Sequence, residues 1–345
     1  MSRKWGIGFL FVVGAAVSFG QDIHFTQVAT NNMLTNPATT GMFNGWERVS
    51  ANHKNQWVGA GTKYFTTSVA ADVNFLKPKM GNHAYLGMGL QFYNDVGGDS
   101  KFGLKQFQMS FSGIVPVGEM HEISAGLQFG VGQRSGDLTG LIFPNQFNGS
   151  ELDPSINSNE INNLVSFVYP DLGAGLSYHY GNRKVGFTRD DQTDFVFGVA
   201  YAHLNHPHLN YRVGYSEKLY GKLTIHANFL KDFSGTTVGI EAFGYEFIQG
   251  PHAETLLGAL MRIRLSSGSK TTGLTRDAYI KWGLAYRVKD AIAPMFQIQF
   301  GSFDVGVTYD ITVSKLGQMA RSGGLEFSVI YTNRDFALFK GRGRF

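Results

Sequence analysis

The sequence predicts an all-β fold, a single-chain transmembrane antiparallel β-barrel of about 14 strands. Three observations point to it. Apolar and polar side chains alternate along most of the chain, and glycines and charges recur on the polar side of that alternation. The composition is rich in strand and turn formers, with 44 Gly, 29 Phe and 15 Tyr but only 9 Pro. A soluble sandwich would alternate in the same way, but usually with shorter strands and fewer glycines on its polar side.

The first predicted element is an export signal. Positive charge in Met1–Lys4 is followed by the almost entirely apolar residues 7–19 and by a small-residue exit before Gln21. This order is typical of a secretory signal peptide, and the apolar stretch is shorter than the roughly 20 residues that a membrane helix needs. We therefore expect a signal peptide over residues 1–20. A periplasmic N-terminal segment over residues 21–45 is expected to follow, and whether it folds back into the barrel is left open.

The barrel is predicted over residues 46–332, followed by a C-terminal tail over residues 333–345. In "FTTSVAADVNF" (residues 65–75) every second side chain is apolar or β-branched, and "FDVGVTYDITV" (residues 303–313) repeats the pattern. Successive side chains of a strand point to opposite faces, so each such stretch predicts a strand with one lipid-compatible face. The predicted strands are approximately residues 46–57, 62–75, 84–94, 102–115, 120–134, 171–180, 194–205, 218–230, 235–248, 254–266, 277–288, 291–300, 302–313 and 323–332.

The connections predict which end faces which compartment. Unpaired backbone groups are costly in hydrocarbon, so a lipid-facing sheet has to close on itself. Counting from a periplasmic N-terminus places short joins such as "PVGEMH" and "KDFSG" in the periplasm. It places the long segment Ser135–Pro170 and the histidine-rich Asn205–Glu217 outside the cell. Two periplasmic joins, residues 181–193 and 267–276, are longer than is usual for that side.

The sequence does not support thiolate chemistry, nucleic-acid binding, metal binding or hydrolysis. The chain has no cysteine, and its net charge of +4 comes without a lysine or arginine block, so neither thiolate chemistry nor a nucleic-acid partner is expected. His203, His206 and His208 could ligate a metal, but no carboxylate lies nearby and an exposed histidine loop is favoured. The hydrolase motif GxSxG is absent, and His179 and His226 fall on inner faces. We expect no cofactor, no metal and no enzyme activity.

Charges of both signs are predicted on the inner face. Three readings of them stay open: ion pairs that stabilise the wall, a lumen that holds a polypeptide, and a water-filled channel. The inner-face charges are Asp72, Glu241, Arg262, Arg264, Lys281, Arg287, Asp304 and Asp310.

Two regions of the chain resemble a known family. The N-terminal "QDIHFTQVATNNMLTNPATTG" is followed by "NHKNQWVG", and "YRVKDAIAPMFQIQFGSFDVGVTYDITVSKL" lies near the end. Gln-Asp, Asn-Pro-Ala and Asn-Gln-Trp-x-Gly in that order, with a later Arg-x-x-Asp-Ala-x-x-Pro hairpin and a Tyr-Asp strand, resemble the PorP/SprF family of type IX secretion system membrane proteins. The resemblance covers nearly the whole chain after the signal.

The resemblance implies a non-catalytic outer-membrane barrel that supports the export or surface anchoring of a type IX cargo, such as a large gliding adhesin. The cargo's C-terminal domain would bind the outer loops or mouth, and components of the secretion machinery would be further partners. The alternative is a pore or transporter for small or hydrophobic solutes. Residues carried over from the family motifs as candidate partner-binding positions are Asn55, Gln56, Trp57, Arg287, Asp290, Tyr309 and Asp310.

Overall fold

The computed structural model describes most of the chain after the predicted signal. The described residues are 22–56, 64–75, 77, 83–98, 100–137, 141, 143–151, 153, 155–157, 166–181, 191–212, 215–266, 277–314 and 323–334. The predicted signal peptide and most of the predicted tail lie outside them.

Fourteen antiparallel strands close into a barrel, which confirms the predicted fold and strand number. Each strand pairs with its neighbours along the chain, and the first strand closes the ring by pairing with the last, from Glu47↔Asn333 to Gln56↔Gly324. The wall strands are β1 Glu47–Gln56, β2 Tyr64–Phe75, β3 Tyr85–Gly97, β4 Phe102–Pro116, β5 His121–Ser135, β6 Phe167–Gly181, β7 Thr193–Ala202, β10 Lys222–Asp232, β11 Val238–Gln249, β12 His252–Ser266, β13 Ala278–Arg287, β14 Ala291–Phe300, β15 Phe303–Thr312 and β16 Gly324–Asn333.

The alternation of apolar and polar side chains along the sequence corresponds to the outer and inner faces of this wall. In β5, Leu127 and Phe129 are exposed on the outside while Gln128 is buried on the inside. Exposed aliphatic or aromatic side chains occur on the outer face of every wall strand. The predicted inner-face charges lie inside, and Lys281, for example, pairs there with Glu241 at 3.1 Å and Asp304 at 2.9 Å.

The two ends of the barrel differ in their connections. We call the end that holds the start of β1 and the end of β16 the proximal end, and the opposite one the distal end. The β4–β5 and β10–β11 joins lie at the proximal end, whereas the long β5–β6 connection lies at the distal end. Strand β6 starts at Phe167, earlier than predicted, because its first residues continue the ladder with β5 as far as Arg134. That the proximal end faces the periplasm remains a prediction.

A second small sheet lies at the distal end, where the sequence predicted only a loop. Strands β8 His208–Arg212 and β9 Tyr215–Lys218 form a two-stranded hairpin, which we call the mouth hairpin. Leu209 of the hairpin and Leu219 just after it are buried in the same hydrophobic cluster as Tyr169 on the inner face of β6. The hairpin therefore folds inward over the mouth.

The chain before β1 runs through the inside of the barrel. Residues 22–46, which we call the luminal segment, begin at the distal end, where Asp22 contacts His203, and finish at the proximal end, where the Trp46 N–H donates to Asn333 O. The segment contains three short helical turns, at Val28–Thr30, Asn32–Thr35 and Pro37–Thr39. No helix in the described part of the chain is both long and apolar enough to cross a membrane. The question that the sequence left open is thus answered for residues 22–46: they lie in the lumen.

Candidate functional site: the lumen and the distal mouth

Four charged wall residues surround the start of the luminal segment in the distal half of the lumen, and we call Lys54, Arg287, Asp310 and Glu326 the clamp. The Glu326 carboxylate accepts hydrogen bonds from the backbone N–H groups of Thr26 and Gln27, each at 2.8 Å. The Thr26 hydroxyl donates to Asp310 at 2.7 Å. Charge-assisted hydrogen bonds of this kind are stronger than neutral ones.

The clamp is also an ion cluster. Asp310 forms an ion pair with Lys54 Nζ at 3.0 Å and accepts a hydrogen bond from an Arg287 guanidinium nitrogen at 3.1 Å. The Lys54 side chain is fully buried, and Asp310 is nearly so. Buried charges of opposite sign stabilise one another only when each is paired and hydrogen-bonded, because their removal from water is costly. Asp310 thus joins two cations of the wall to the hydroxyl of Thr26 in the segment.

A second cluster holds the first described residue at the distal end. His203 stands between two carboxylates, with Nδ1 at 2.7 Å from Asp171 Oδ1 and Nε2 at 2.7 Å from Asp22 Oδ2. Burial would lower the pKa of His203, but these carboxylates outweigh it and raise the pKa to about 10. At neutral pH an imidazolium therefore donates from both ring nitrogens and ties the luminal segment to β6.

The middle of the segment is held by neutral hydrogen bonds. Asn36 caps the turn Pro37–Thr39 through Oδ1, which accepts from Ala38 N at 2.9 Å. Its Nδ2 lies 3.0 Å from Leu176 O of β6 and 3.0 Å from His226 Nε2 of β10. The Asn-Pro-Ala motif thus builds a capped turn and joins it to two wall strands.

Glycines on the inner face let the segment approach the wall backbone. A Cβ added at Gly126 would collide with the backbone of Pro37 and Ala38, and one at Gly87 with the carbonyl of Thr40. A side chain at Gly175 would occupy the place of the Asn36 amide. The glycines that recur on the polar side of the alternation have this physical basis, since only glycine permits such close contact.

Two unfilled spaces border the segment. One lies inside the barrel between the segment and the wall, with Leu34, Tyr93 and Gln128 in its lining. The other opens at the distal mouth, and we call it the distal cleft. The distal cleft is lined by Asp22, His24, Lys222, Phe247, Gln249, His252, Ala253 and Glu254.

Aromatic contacts fix the mouth hairpin at the same end of the barrel. The Tyr211 ring lies 5.4 Å from the Phe102 ring and meets Phe167 edge-on at 5.2 Å. Aromatic pairs at such distances add to the stabilisation that comes from burial alone. The hairpin is therefore packed against β4 and β6, and its outer side chains His208 and Asn210 are exposed.

The structure brings some of the predicted partner-binding residues together and separates others. Arg287 bonds Asp290 at 2.9 Å and Asp310 at 3.1 Å, so these three form one group. Tyr309, 46% exposed, points to the outside of the wall. Asn55 and Gln56 end β1 at the distal end, and Trp57 lies outside the described residues.

Sequence reasoning missed the role of His203. The expectation of an exposed histidine loop is wrong for this residue, which is 2% exposed, while His206 and His208 are exposed as expected. Its partners Asp22 and Asp171 are distant in sequence, so no local pattern could have revealed them. In the described part of the chain, no three His, Asp or Glu side chains are arranged to hold a metal ion.

A comparison with protein families matches nearly the whole chain. The family model for type IX secretion system membrane protein PorP/SprF matches residues 17–331. Since this is far more than half of the chain, it establishes family membership and localisation to the outer membrane. A search of curated proteins found no match.

Solved structures share the general fold at low identity. The toluene transporter TodX of P. putida is 10% identical, with a TM-score of 0.44 over 88% of this chain and 94% of that one. The CymD monoaromatic hydrocarbon channel is 11% identical, with a TM-score of 0.45 over 89% and 93%. BamA from Haemophilus ducreyi, lacking POTRA domains 1–3, is 10% identical, with a TM-score of 0.42 over 84% and 70%. These likenesses carry no argument about function.

Proposed function

The chain belongs to the PorP/SprF family of type IX secretion system membrane proteins, and from this premise we propose how it takes part in secretion. It acts as a non-catalytic outer-membrane barrel that supports the export or surface anchoring of a type IX cargo protein. It does so by binding the cargo's C-terminal domain on its distal face. A large gliding adhesin is one cargo of the required kind.

The occupied lumen is the observation that supports this proposal. Residues 22–46 contact the wall from the distal to the proximal end, so a folded cargo domain has no room inside the barrel. Binding is therefore assigned to the distal face, which carries both the mouth hairpin and the distal cleft. The exposed hairpin residues and the charged cleft offer a rigid and chemically mixed surface, as protein interfaces require.

Affinity purification of the tagged barrel in mild detergent tests the proposal. The cargo's C-terminal domain is expected to co-purify, and deletion of the barrel gene is expected to leave the cargo degraded or released into the medium. Normal surface display of the cargo in the deletion strain would contradict the proposed function.

Two matched substitutions locate the binding face. Asn210→Arg places a long charged side chain on the exposed side of the mouth hairpin, and Ser234→Arg does the same in the exposed β10–β11 join at the proximal end. We expect Asn210→Arg to reduce cargo recovery about tenfold, the loss of about 1.4 kcal/mol of binding free energy, and Ser234→Arg to leave it unchanged. The reverse result would move the interface to the proximal end.

A further inference from the structure

The number of strands in a barrel sets the width of its lumen. Barrels of about 8 strands are filled by their own side chains, whereas barrels of about 16–18 strands leave an aqueous channel. This wall has more strands than the filled class, and its lumen holds the chain's own residues 22–46. We propose that the luminal segment is a built-in plug that keeps the barrel closed to small solutes. The clamp is the latch that holds the distal part of this plug.

The plug crosses the lumen rather than lining one side of it. Thr26 bonds to β15 and β16, while Asn36 bonds to β6 and β10, which lie nearly opposite in the ring. Between them Asn31 donates to Ser68 of β2 at 2.8 Å. Towards the proximal end Gly41 N donates to Asp72 at 2.8 Å. Among the described residues, these contacts to opposite walls place the segment across the lumen.

The buried charges of the clamp explain why it acts as the latch. Thr26 and Gln27 together engage two buried carboxylates, those of Asp310 and Glu326, whereas Gly41 meets the single carboxylate of Asp72. If the segment left, Glu326 would lose both backbone donors and Asp310 would lose the Thr26 hydroxyl. A buried carboxylate without its donors is costly, so wall and segment favour the closed arrangement together.

Conductance of the purified full-length barrel in planar lipid bilayers tests the plug. We expect the unaltered protein to stay closed and a Thr26→Val, Glu326→Gln double variant to open at least ten times as often. Asp304→Asn is the matched control, because it also removes an inner-wall carboxylate charge but acts on the pair with Lys281. The control is expected to stay closed. A steady open conductance of the unaltered protein would overturn the proposal.

A thiol reporter separates loss of the latch from loss of folding. The chain has no cysteine, and the Thr40 hydroxyl is buried without a hydrogen-bond partner among the described residues, so Thr40→Cys adds a single thiol at little cost. In the otherwise unaltered barrel a membrane-impermeant maleimide is expected to label this thiol at least ten times more slowly than in the unfolded chain. The double variant is expected to label faster while keeping the mobility of a folded barrel on an unheated gel.

Each remaining outcome also decides the matter. If the double variant fails to fold, Thr26→Val alone is used, because it removes one hydroxyl and leaves every wall charge in place. A folded variant that remains closed, with the thiol of Thr40→Cys still protected, would show that the clamp is no latch. The proposal does not depend on cargo binding, since a barrel that binds no cargo would still be closed, and the two can fail separately.

Discussion

At the scale of single residues, the lumen shows how charged side chains persist inside a small barrel. Lys54 is fully buried, yet Asp310 lies 3.0 Å away, and Asp310 is itself shared with Arg287. Arg48 pairs with Asp72 in the same manner near the proximal end. In both cases the partner lies on another strand, so removing one member of a pair would leave the other charge buried without it.

The His203 cluster predicts a pH-dependent contribution to stability. Its pKa is raised from 6.5 to about 10, so the imidazolium stabilises the folded state fully below about pH 6.5. This contribution falls as the pH rises and is gone above about pH 10. We expect His203→Gln to lower the free energy of unfolding by about 3 kcal/mol at pH 6, because it strands two buried carboxylates. The difference from the unaltered protein should vanish once the pH exceeds the raised pKa.

Unfolding of both proteins in detergent, followed by the gel mobility shift of folded barrels across this pH range, measures the difference. His208→Gln is the control, because His208 is exposed on the mouth hairpin and bonds only Ser216 among its described contacts. A His203→Gln barrel as stable as the unaltered one at pH 6 would mean that the cluster does not hold the segment.

At the scale of elements, strands were predictable and the luminal segment was not. Each wall strand separates lipid from lumen, so its alternation is visible within about ten residues of sequence. Residues 22–46 have no such period, because their side chains meet the wall on all sides. Thr26 and Glu326 are 300 residues apart in sequence, and the hydrogen bonds that place the segment are therefore not readable locally. The mouth hairpin was missed for the same reason, since it packs on β4 and β6.

Glycines of adjacent strands predict opposite effects of one added methyl group. Gly126 of β5 faces inward against the backbone of Pro37 and Ala38, while Gly113 of β4 has open space around it. Neither has a positive φ, so alanine suits both backbones. We expect Gly126→Ala to destabilise the barrel by about 1–3 kcal/mol through overpacking, and Gly113→Ala to be neutral or stabilising by up to about 1 kcal/mol.

Thermal unfolding of the two alanine variants decides this point, and labelling of Thr40→Cys in each background shows whether the segment has moved. Equal stability of the two variants would mean that the segment does not press against β5. Faster labelling in the Gly126→Ala background alone would show that the close approach is needed to seat the segment.

At the scale of the whole molecule, the luminal segment starts at the opposite end of the barrel from the one at which a periplasmic N-terminal segment is expected. The segment starts at the distal end, with Asp22 beside His203 and Gln249, and returns to the proximal end before β1. Given the predicted orientation, an epitope tag inserted between Gln21 and Asp22 is expected to bind antibody on intact cells. A tag inserted at Gly235, in the proximal β10–β11 join, should bind only after the cells are permeabilised. The opposite pair of results would mean that the proximal end faces the outside of the cell.

The outer belt of apolar side chains predicts how charge is tolerated at different depths. Leu127 lies at the middle of β5 and is 54% exposed, whereas Gln133 lies on the same face near the distal end of the strand. Arginine at the bilayer midplane costs a barrel about 2–4 kcal/mol, and near the interface about 0–1 kcal/mol. Leu127→Arg should therefore be much more destabilising than Gln133→Arg when the barrels are refolded into lipid vesicles and unfolded with guanidinium. In detergent micelles that water penetrates easily, the difference in destabilisation between the two variants should be smaller, because arginine can then reach water at either position. Equal costs in vesicles would mean that this face of β5 is covered by protein rather than by lipid.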